Sequence, residues 1–160
     1  MSFTIRIGKK KDMQDVLRLV KELALFEKLP KEVIISANDL ISDGFGDTPK
    51  FKTFIAVEDN GNVIGMALFY ERYSTWKGKT IHLEDLMVTK TKRNIGAGKA
   101  LYSAVLKYAY NNGYKRVAWE VLNWNKNAID FYERSGALIL NDWQIVHMTE
   151  NNLKQFIQNN

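Results

Sequence analysis

Hydrophobic residues recur with two different periods along this chain, and each period predicts a different kind of element. Between residues 13 and 23 the apolar positions are three and four apart, which predicts an amphipathic helix that Asp12 caps and that runs to about Phe26. Alternation with a period of two predicts strands, and the run Asp59-Asn-Gly-Asn62 is typical of a hairpin turn between two of them. In chain order the predicted elements are a strand at 2–8, the helix at 12–26, a short helix from 36 to about 44–46, strands at 51–57, 63–73 and 79–88, a helix from 97 that ends at 111–113, a strand at 115–122, a short helix from 125 to 136, a strand at 137–148 and a polar C-terminal helix.

No internal repeat, linker or low-complexity tract interrupts this order. We therefore expect residues 1–160 to form a single domain of the α+β class, in which an antiparallel meander leads into a strand–helix–strand–helix unit. A chain of 160 residues is long enough to bury a core without disulfides or metal ions.

The amino-acid composition limits the kinds of functional site that this protein can have. The absence of cysteine excludes disulfides, thiolate metal sites and a cysteine nucleophile, and with only two histidines a metal site is not expected. A net charge of +5 favours anionic partners, which leaves nucleic acid, a phosphorylated cofactor or simply a solvated basic surface open. No apolar stretch approaches the ~20 residues of a membrane span, and the N-terminus lacks the apolar core of a signal peptide, so we expect a cytoplasmic protein.

A glycine-rich turn follows the predicted strand that ends at Val88. It reads Arg93-Asn-Ile-Gly-Ala-Gly98 and opens a helix, so its backbone N–H groups and the helix dipole favour a phosphate. A Walker A motif is excluded because Lys99 is followed by Ala100, where a Ser or Thr would bind magnesium. The dinucleotide fingerprint is excluded because the turn lies in the middle of the chain and has only two glycines in register.

The pattern that remains, R-x-x-G-x-G after a central strand, resembles the acyl-CoA pyrophosphate loop of the GCN5-related N-acetyltransferase (GNAT) superfamily. Within it, the chain is most similar to the diamine (spermidine/spermine) and thialysine N-acetyltransferases. The resemblance implies a mixed, mostly antiparallel central sheet flanked by helices, with a splayed acyl-CoA cleft, and it implies a homodimer. The blocks that carry it are residues 23–27, 43–46, 76–79, 83–85, 93–98 and 124–132.

The resemblance implies transfer of an acetyl group from acetyl-CoA to a primary amine of a small cationic molecule, either thialysine- or lysine-like or a polyamine. Because the chain has no cysteine and no serine in a nucleophile elbow, direct attack in a ternary complex is the simpler route. The matching residues make Glu84 the expected base and Tyr132 the expected acid. Since side chains alternate along a strand, Asp85 is expected on the face opposite to Glu84.

The remaining expected site residues fall into two groups. The cofactor group that the resemblance implies consists of Leu86, Met87, Val88, Arg93, Asn94, Ile95, Gly96, Ala97, Gly98, Lys99, Asn125, Asn127, Ala128 and Arg134. The substrate group, anionic and aromatic as a cationic amine requires, consists of Phe26, Glu27, Trp76, Glu84 and Asp85.

One position departs from the polyamine enzymes. They have an acidic residue two positions before the tryptophan, where this chain has Ser74, and that difference favours a lysine-like amine. Two other functions stay open, namely an acetyltransferase of protein N-termini or lysines and a non-catalytic CoA-binding module. Nucleic acid is disfavoured because the basic turn is not interleaved with aromatic residues.

Overall fold

Four antiparallel strands and one short parallel strand form a sheet in the order β1-β2-β3-β4-β5 in the computed structural model, which describes residues 2–159. The strands are β1 Phe3–Ile7, β2 Lys52–Glu58, β3 Val63–Ser74, β4 Gly78–Val88 and β5 Val117–Ala118. The helices are α1 Met13–Phe26, α2 Ala37–Phe45, α3 Ala97–Asn111, α4 Lys126–Arg134 and α5 Glu150–Gln158, and single 3-10 turns lie at Lys10–Asp12 and Lys90–Lys92. This is the mixed, mostly antiparallel sheet with flanking helices that the sequence predicts.

The chain divides after Glu120 into two compact units, so each is described by itself. The first unit holds β1 to β5 and α1 to α3. Strands β1 to β4 form the predicted meander, and α3 crosses from β4 to β5, which runs parallel to β4. The second unit holds α4 and α5.

Apolar side chains cover both faces of the sheet in the first unit. On one face, residues of α1 and α2 pack against the strands, and the buried members of this cluster are Met13, Val16, Leu17, Leu19, Leu40, Ile55, Val63, Met66, Leu68 and Met87. On the other face Phe69 packs against Phe54 and against Tyr108 of α3, with ring centroids 5.4 and 5.1 Å apart. The two apolar layers hold the central strands β3 and β4 rigidly in place.

The termini of the first two helices are built differently from each other. Ser36 and Asp39 form a capping box at the predicted start of α2, in which Ser36 Oγ accepts from the Asp39 N–H and the Asp39 carboxylate accepts from the Ser36 N–H. Asp12 occupies the N-cap position of α1, but its side chain does not cap the helix. Its carboxylate instead accepts hydrogen bonds from the Arg6 guanidinium and from the Lys9 N–H. The prediction that Asp12 caps α1 is therefore right in position and wrong in the hydrogen bond that the side chain makes.

The pairing of β4 with β5 is short. It covers only Ile81 with Val117 and His82 with Ala118, while β4 continues to Val88. The strand predicted at 115–122 is thus reduced to two residues, and β4 runs on from Leu83 without a β5 partner. The sheet is thus open along this edge of β4.

The strand predicted at 137–148 is not formed within the described residues, and that prediction is wrong. A strand needs a neighbour for its N–H and C=O groups, and the second unit has no other strand among its described residues. Apolar side chains in this stretch, Leu138 and Val146 among them, are mostly exposed. Periodicity alone indicates an amphipathic segment and leaves its pairing undecided.

Candidate active site

Glu84 is an extra residue in strand β4. Phe69 pairs with Leu83 and Leu68 pairs with Asp85, so one step along β3 faces two steps along β4. A β-bulge of this kind interrupts the alternation of side chains and re-aims the residues within it.

The bulge brings Glu84 and Asp85 to the same face of the sheet. Asp85 lies opposite Leu68, whose side chain belongs to the apolar cluster on the α1 side. Tyr70 is two residues further along β3 and therefore shares that face, and its hydroxyl lies 3.0 Å from Glu84 Oε2. The expectation that Asp85 points away from Glu84 is wrong, because it assumed an unbroken strand.

Glu84 is held by two neighbours and remains accessible. Its Oε2 accepts a hydrogen bond from the Tyr70 hydroxyl and lies 3.5 Å from His82 Nε2. The Glu84 side chain is 50% exposed, so the carboxylate is open to a ligand. Burial and then the hydrogen bond to Glu84 raise the pKa of Tyr70, which keeps its hydroxyl a donor.

Asp85 shares its surroundings with two other carboxylates. Burial raises the pKa of Asp85 from 3.8 to about 6, and the negative charges of Glu84 and Glu27 add to the rise. Burial also raises the pKa of Glu27, which follows the last residue of α1. The negative charge of each carboxylate disfavours ionisation of the others. A positively charged ammonium group that binds among them would relieve this repulsion and be stabilised by all three.

The N-terminus of α3 lies a short turn beyond β4. Its N-cap is Gly96, with φ +88°, and no side chain caps the helix. Asn94 is also in the left-handed region, with φ +65°. The first N–H groups of an uncapped helix have no intrahelical acceptor, so this end suits a phosphate.

Two of the basic residues before this helix, Lys92 and Arg93, make contacts within the protein. Arg93 donates from Nε to the Val88 carbonyl and places its guanidinium 5.2 Å from the centre of the Phe26 ring. Lys92 forms an ion pair with Glu58, whose side chain is almost fully buried. Arg93 thus links the end of β4 to the end of α1. Together, Lys92 and Arg93 hold the glycine-rich turn in place.

Main-chain groups of β4 complete the edge that leads to the glycine turn. Leu86, Met87 and Val88 pair with β3 on one side, and the β5 ladder on the other side has already ended at His82. Ile95 and Lys99 are exposed, whereas Ala97 is buried. The predicted cofactor residues from Leu86 to Lys99 are therefore contiguous in the first unit.

The second unit holds Tyr132 and the remaining predicted cofactor residues. Asn125 Oδ1 accepts from the Ala128 N–H, so Asn125 caps α4. Tyr132 is buried, and its ring lies 5.3 Å from that of Phe131. Asn127 and Arg134 are exposed.

Trp76 is not brought together with the carboxylates. It lies in the β3–β4 hairpin turn, where it is 80% exposed. Since β4 rises ~3.3 Å per residue, the start of the strand at Gly78 is about 20 Å from Glu84. By contrast, Tyr70 and His82 contact Glu84. For His82 the only signal in the sequence is its place two positions before Glu84.

Comparison with known proteins identifies the family of this chain. The acetyltransferase (GNAT) family matches residues 14–137. The chain belongs to the GNAT family. It is 41% identical over 140 residues to a thialysine N-epsilon-acetyltransferase of Bos taurus, covering 83% of this chain and 82% of the relative.

Two further comparisons extend the GNAT assignment. A spermidine/spermine N(1)-acetyltransferase-like protein of Homo sapiens is 32% identical over 161 residues, which covers 97% of this chain and 23% of the relative. An aminoglycoside N-acetyltransferase solved in complex with CoA superposes with a TM-score of 0.69 at 19% identity, covering 93% of this chain and 95% of that one. The chain is thus an acetyltransferase with the GNAT fold, most similar to the diamine and thialysine branch.

The described residues contain neither a metal-binding cluster nor a membrane-spanning helix. Between residues 2 and 159, no group of three or more His, Asp or Glu side chains is placed to hold a metal ion. In the same range of this GNAT chain, no helix combines the length and the apolar character that crossing a membrane requires.

Proposed function

We propose that this protein transfers the acetyl group of acetyl-CoA directly to a primary amine of a small cationic molecule. The observation that carries the proposal is the bulge in β4, which places Glu84 and Asp85 together, close enough to Glu27 to feel its charge, on the strand that leads to the uncapped end of α3. A cation-binding group and an anion-binding group on one strand match the two substrates of the reaction.

The residues present fit a CoA pyrophosphate. Backbone N–H groups from Asn94 to Lys99 would hold it at the start of α3, where no side-chain cap competes. The β4 main chain at Leu86–Val88 would hold the extended part of CoA, since the β5 ladder does not reach it. Residues Asn125, Asn127, Ala128 and Arg134 are proposed as further contacts.

In the proposed reaction Glu84 accepts one proton and Tyr132 donates one. Glu84, directly or through water, accepts the proton that the ammonium must lose before its nitrogen lone pair can attack the thioester carbon. As the new C–N bond forms and the C–S bond breaks, Tyr132 donates a proton to the leaving thiolate. The nitrogen releases its second proton to solvent as it becomes the amide, and solvent returns a proton to Tyr132. Asp85 and Glu27 stabilise the cationic substrate, and Phe26 is its proposed aromatic contact.

We further propose that the amine is lysine-like. Ser74 replaces an acidic residue of the polyamine enzymes, and its Oγ accepts from the N–H groups of Trp76 and Lys77 at 3.3 Å. Ser74 therefore shapes the hairpin turn and adds no charge for a polycation. The thialysine enzyme of Bos taurus, 41% identical, supports the same preference.

A panel of amines tests this function. With acetyl-CoA as donor, kcat/KM is measured for thialysine, lysine, ornithine and spermidine, and we expect the lysine-like amines to be preferred. Initial rates should give intersecting lines, as a ternary complex requires. Clear preference for spermidine would refute the lysine-like assignment, and parallel lines with a trapped acetyl-enzyme would refute direct transfer.

The same experiment separates the alternatives. Turnover on peptides but on no free amine would favour an acetyltransferase of protein N-termini or lysines. CoA binding without turnover on any amine would favour a non-catalytic module. A homodimer and a cytoplasmic location stay predictions from the resemblance and the sequence; sedimentation tests the first, and the exposed Trp76 is available for a contact between copies.

A further inference from the structure

His82 lies buried beside the proposed base. It is only 8% exposed, and its Nε2 is 3.5 Å from Glu84 Oε2. Its ring also packs against Tyr70, with centroids 5.2 Å apart and an angle of 36° between the planes. His82 and Tyr70 are register partners on β4 and β3, so both approach Glu84 from the same side.

Both neighbours converge on one atom. The Tyr70 hydroxyl donates to Glu84 Oε2, the same oxygen that faces His82 Nε2. A carboxylate fixed through one oxygen presents the other in a defined direction, and a base must lie within hydrogen-bond reach of the proton that it takes. A half-exposed glutamate without such partners would sample several rotamers.

Packing alone does not explain a histidine at this position. Its Nδ1 is buried, and no residue within 2–159 gives it a hydrogen-bond partner. An aromatic hydrocarbon ring would fill the same space without an unsatisfied polar atom, and buried polar atoms that lack partners recur at functional sites. The polar feature that distinguishes His82 from such a ring is the nitrogen that faces Glu84.

We propose that His82 is a positioning residue that, together with Tyr70, orients the carboxylate of Glu84 for proton transfer. His82 Nε2 faces Glu84 Oε2 at 3.5 Å, the limit of hydrogen-bond distance, and a hydrogen bond between them in the working enzyme leaves Oε1 to face the substrate amine. The inference rests on the proposed function, since it assigns His82 a role only if Glu84 is the base.

Two substitutions separate the hydrogen bond from the ring. His82→Phe keeps an aromatic ring against Tyr70 and loses the donor, whereas His82→Gln keeps an amide donor near the position of Nε2. We expect His82→Phe to lower kcat about tenfold, the worth of one hydrogen bond to a charged group, with KM for acetyl-CoA and Tm unchanged. We expect His82→Gln to retain most of the activity. His147→Phe, which changes the chain's other histidine, an exposed residue, is the control.

A double-mutant cycle tests whether His82 acts through Glu84. In a Glu84→Gln background, His82→Phe should cause no further loss of kcat, because the carboxylate to be oriented is absent. Equal losses in both backgrounds, equal losses for Phe and Gln, or an unchanged kcat in His82→Phe would each overturn the proposal. These outcomes are distinct from failure of the proposed function, in which the unmodified protein acetylates no amine.

Discussion

Asp85→Asn should stabilise this protein above pH 7 and leave its stability unchanged near pH 4. The reason is the raised pKa of Asp85, about 6 in the folded state against an ordinary value of 3.8. Burial and the charges of Glu84 and Glu27 disfavour its ionised form, and the unfolded chain carries none of these constraints.

The sign and size follow from proton linkage. Between pH 3.8 and about 6 the unfolded Asp85 is ionised while the folded one holds its proton, so stability falls as the pH rises. Above about pH 6 both states are ionised and the penalty is constant. A tenfold change in an ionisation constant is worth ~1.4 kcal/mol, which makes the full penalty about 3 kcal/mol.

Urea unfolding from pH 4 to pH 8 measures this difference. The free energy of unfolding of Asp85→Asn, minus that of the unmodified protein, should grow from near zero at pH 4 to about 3 kcal/mol at pH 8. Asp47→Asn, at an exposed position in the loop after α2, is the matched control. A difference for Asp85→Asn that is flat with pH would refute the clustering of carboxylates at the bulge.

Three other substitutions test separate parts of the structure. Gly96→Ala forces a side chain to φ +88°, so it should lower the free energy of unfolding by ~1–2 kcal/mol and also weaken acetyl-CoA binding in calorimetry. Gly113→Ala, at φ +75°, is the control and should lower only the free energy of unfolding. Equal acetyl-CoA affinities of the two variants would remove Gly96 from the cofactor site. Tyr132→Phe should lower kcat about 100-fold with KM for acetyl-CoA unchanged, and normal turnover would exclude Tyr132 as the acid. Ser36→Ala removes the hydroxyl of the α2 capping box and should cost ~1 kcal/mol in urea unfolding; no loss would contradict the cap.

Local signals in the sequence predicted most elements of the fold. The helix start at Ser36 and the glycine turn that opens α3 were predicted correctly, because helix caps and turns depend on residues a few positions apart. The strand predicted at 137–148 failed, because a strand exists only where a neighbour pairs with it, and periodicity does not identify that neighbour.

The sequence by itself determined the order of the elements up to α4, the glycine-rich turn at Arg93–Gly98 and the presence of two adjacent carboxylates at Glu84 and Asp85. Only the tertiary structure decided that these carboxylates share a face, because the bulge is a property of the register between β3 and β4. The same register places His82 and Tyr70 beside Glu84. Side chains fourteen residues apart, such as Tyr70 and Glu84, meet only once two strands have paired, and no local pattern in either strand encodes the extra residue that lets them meet.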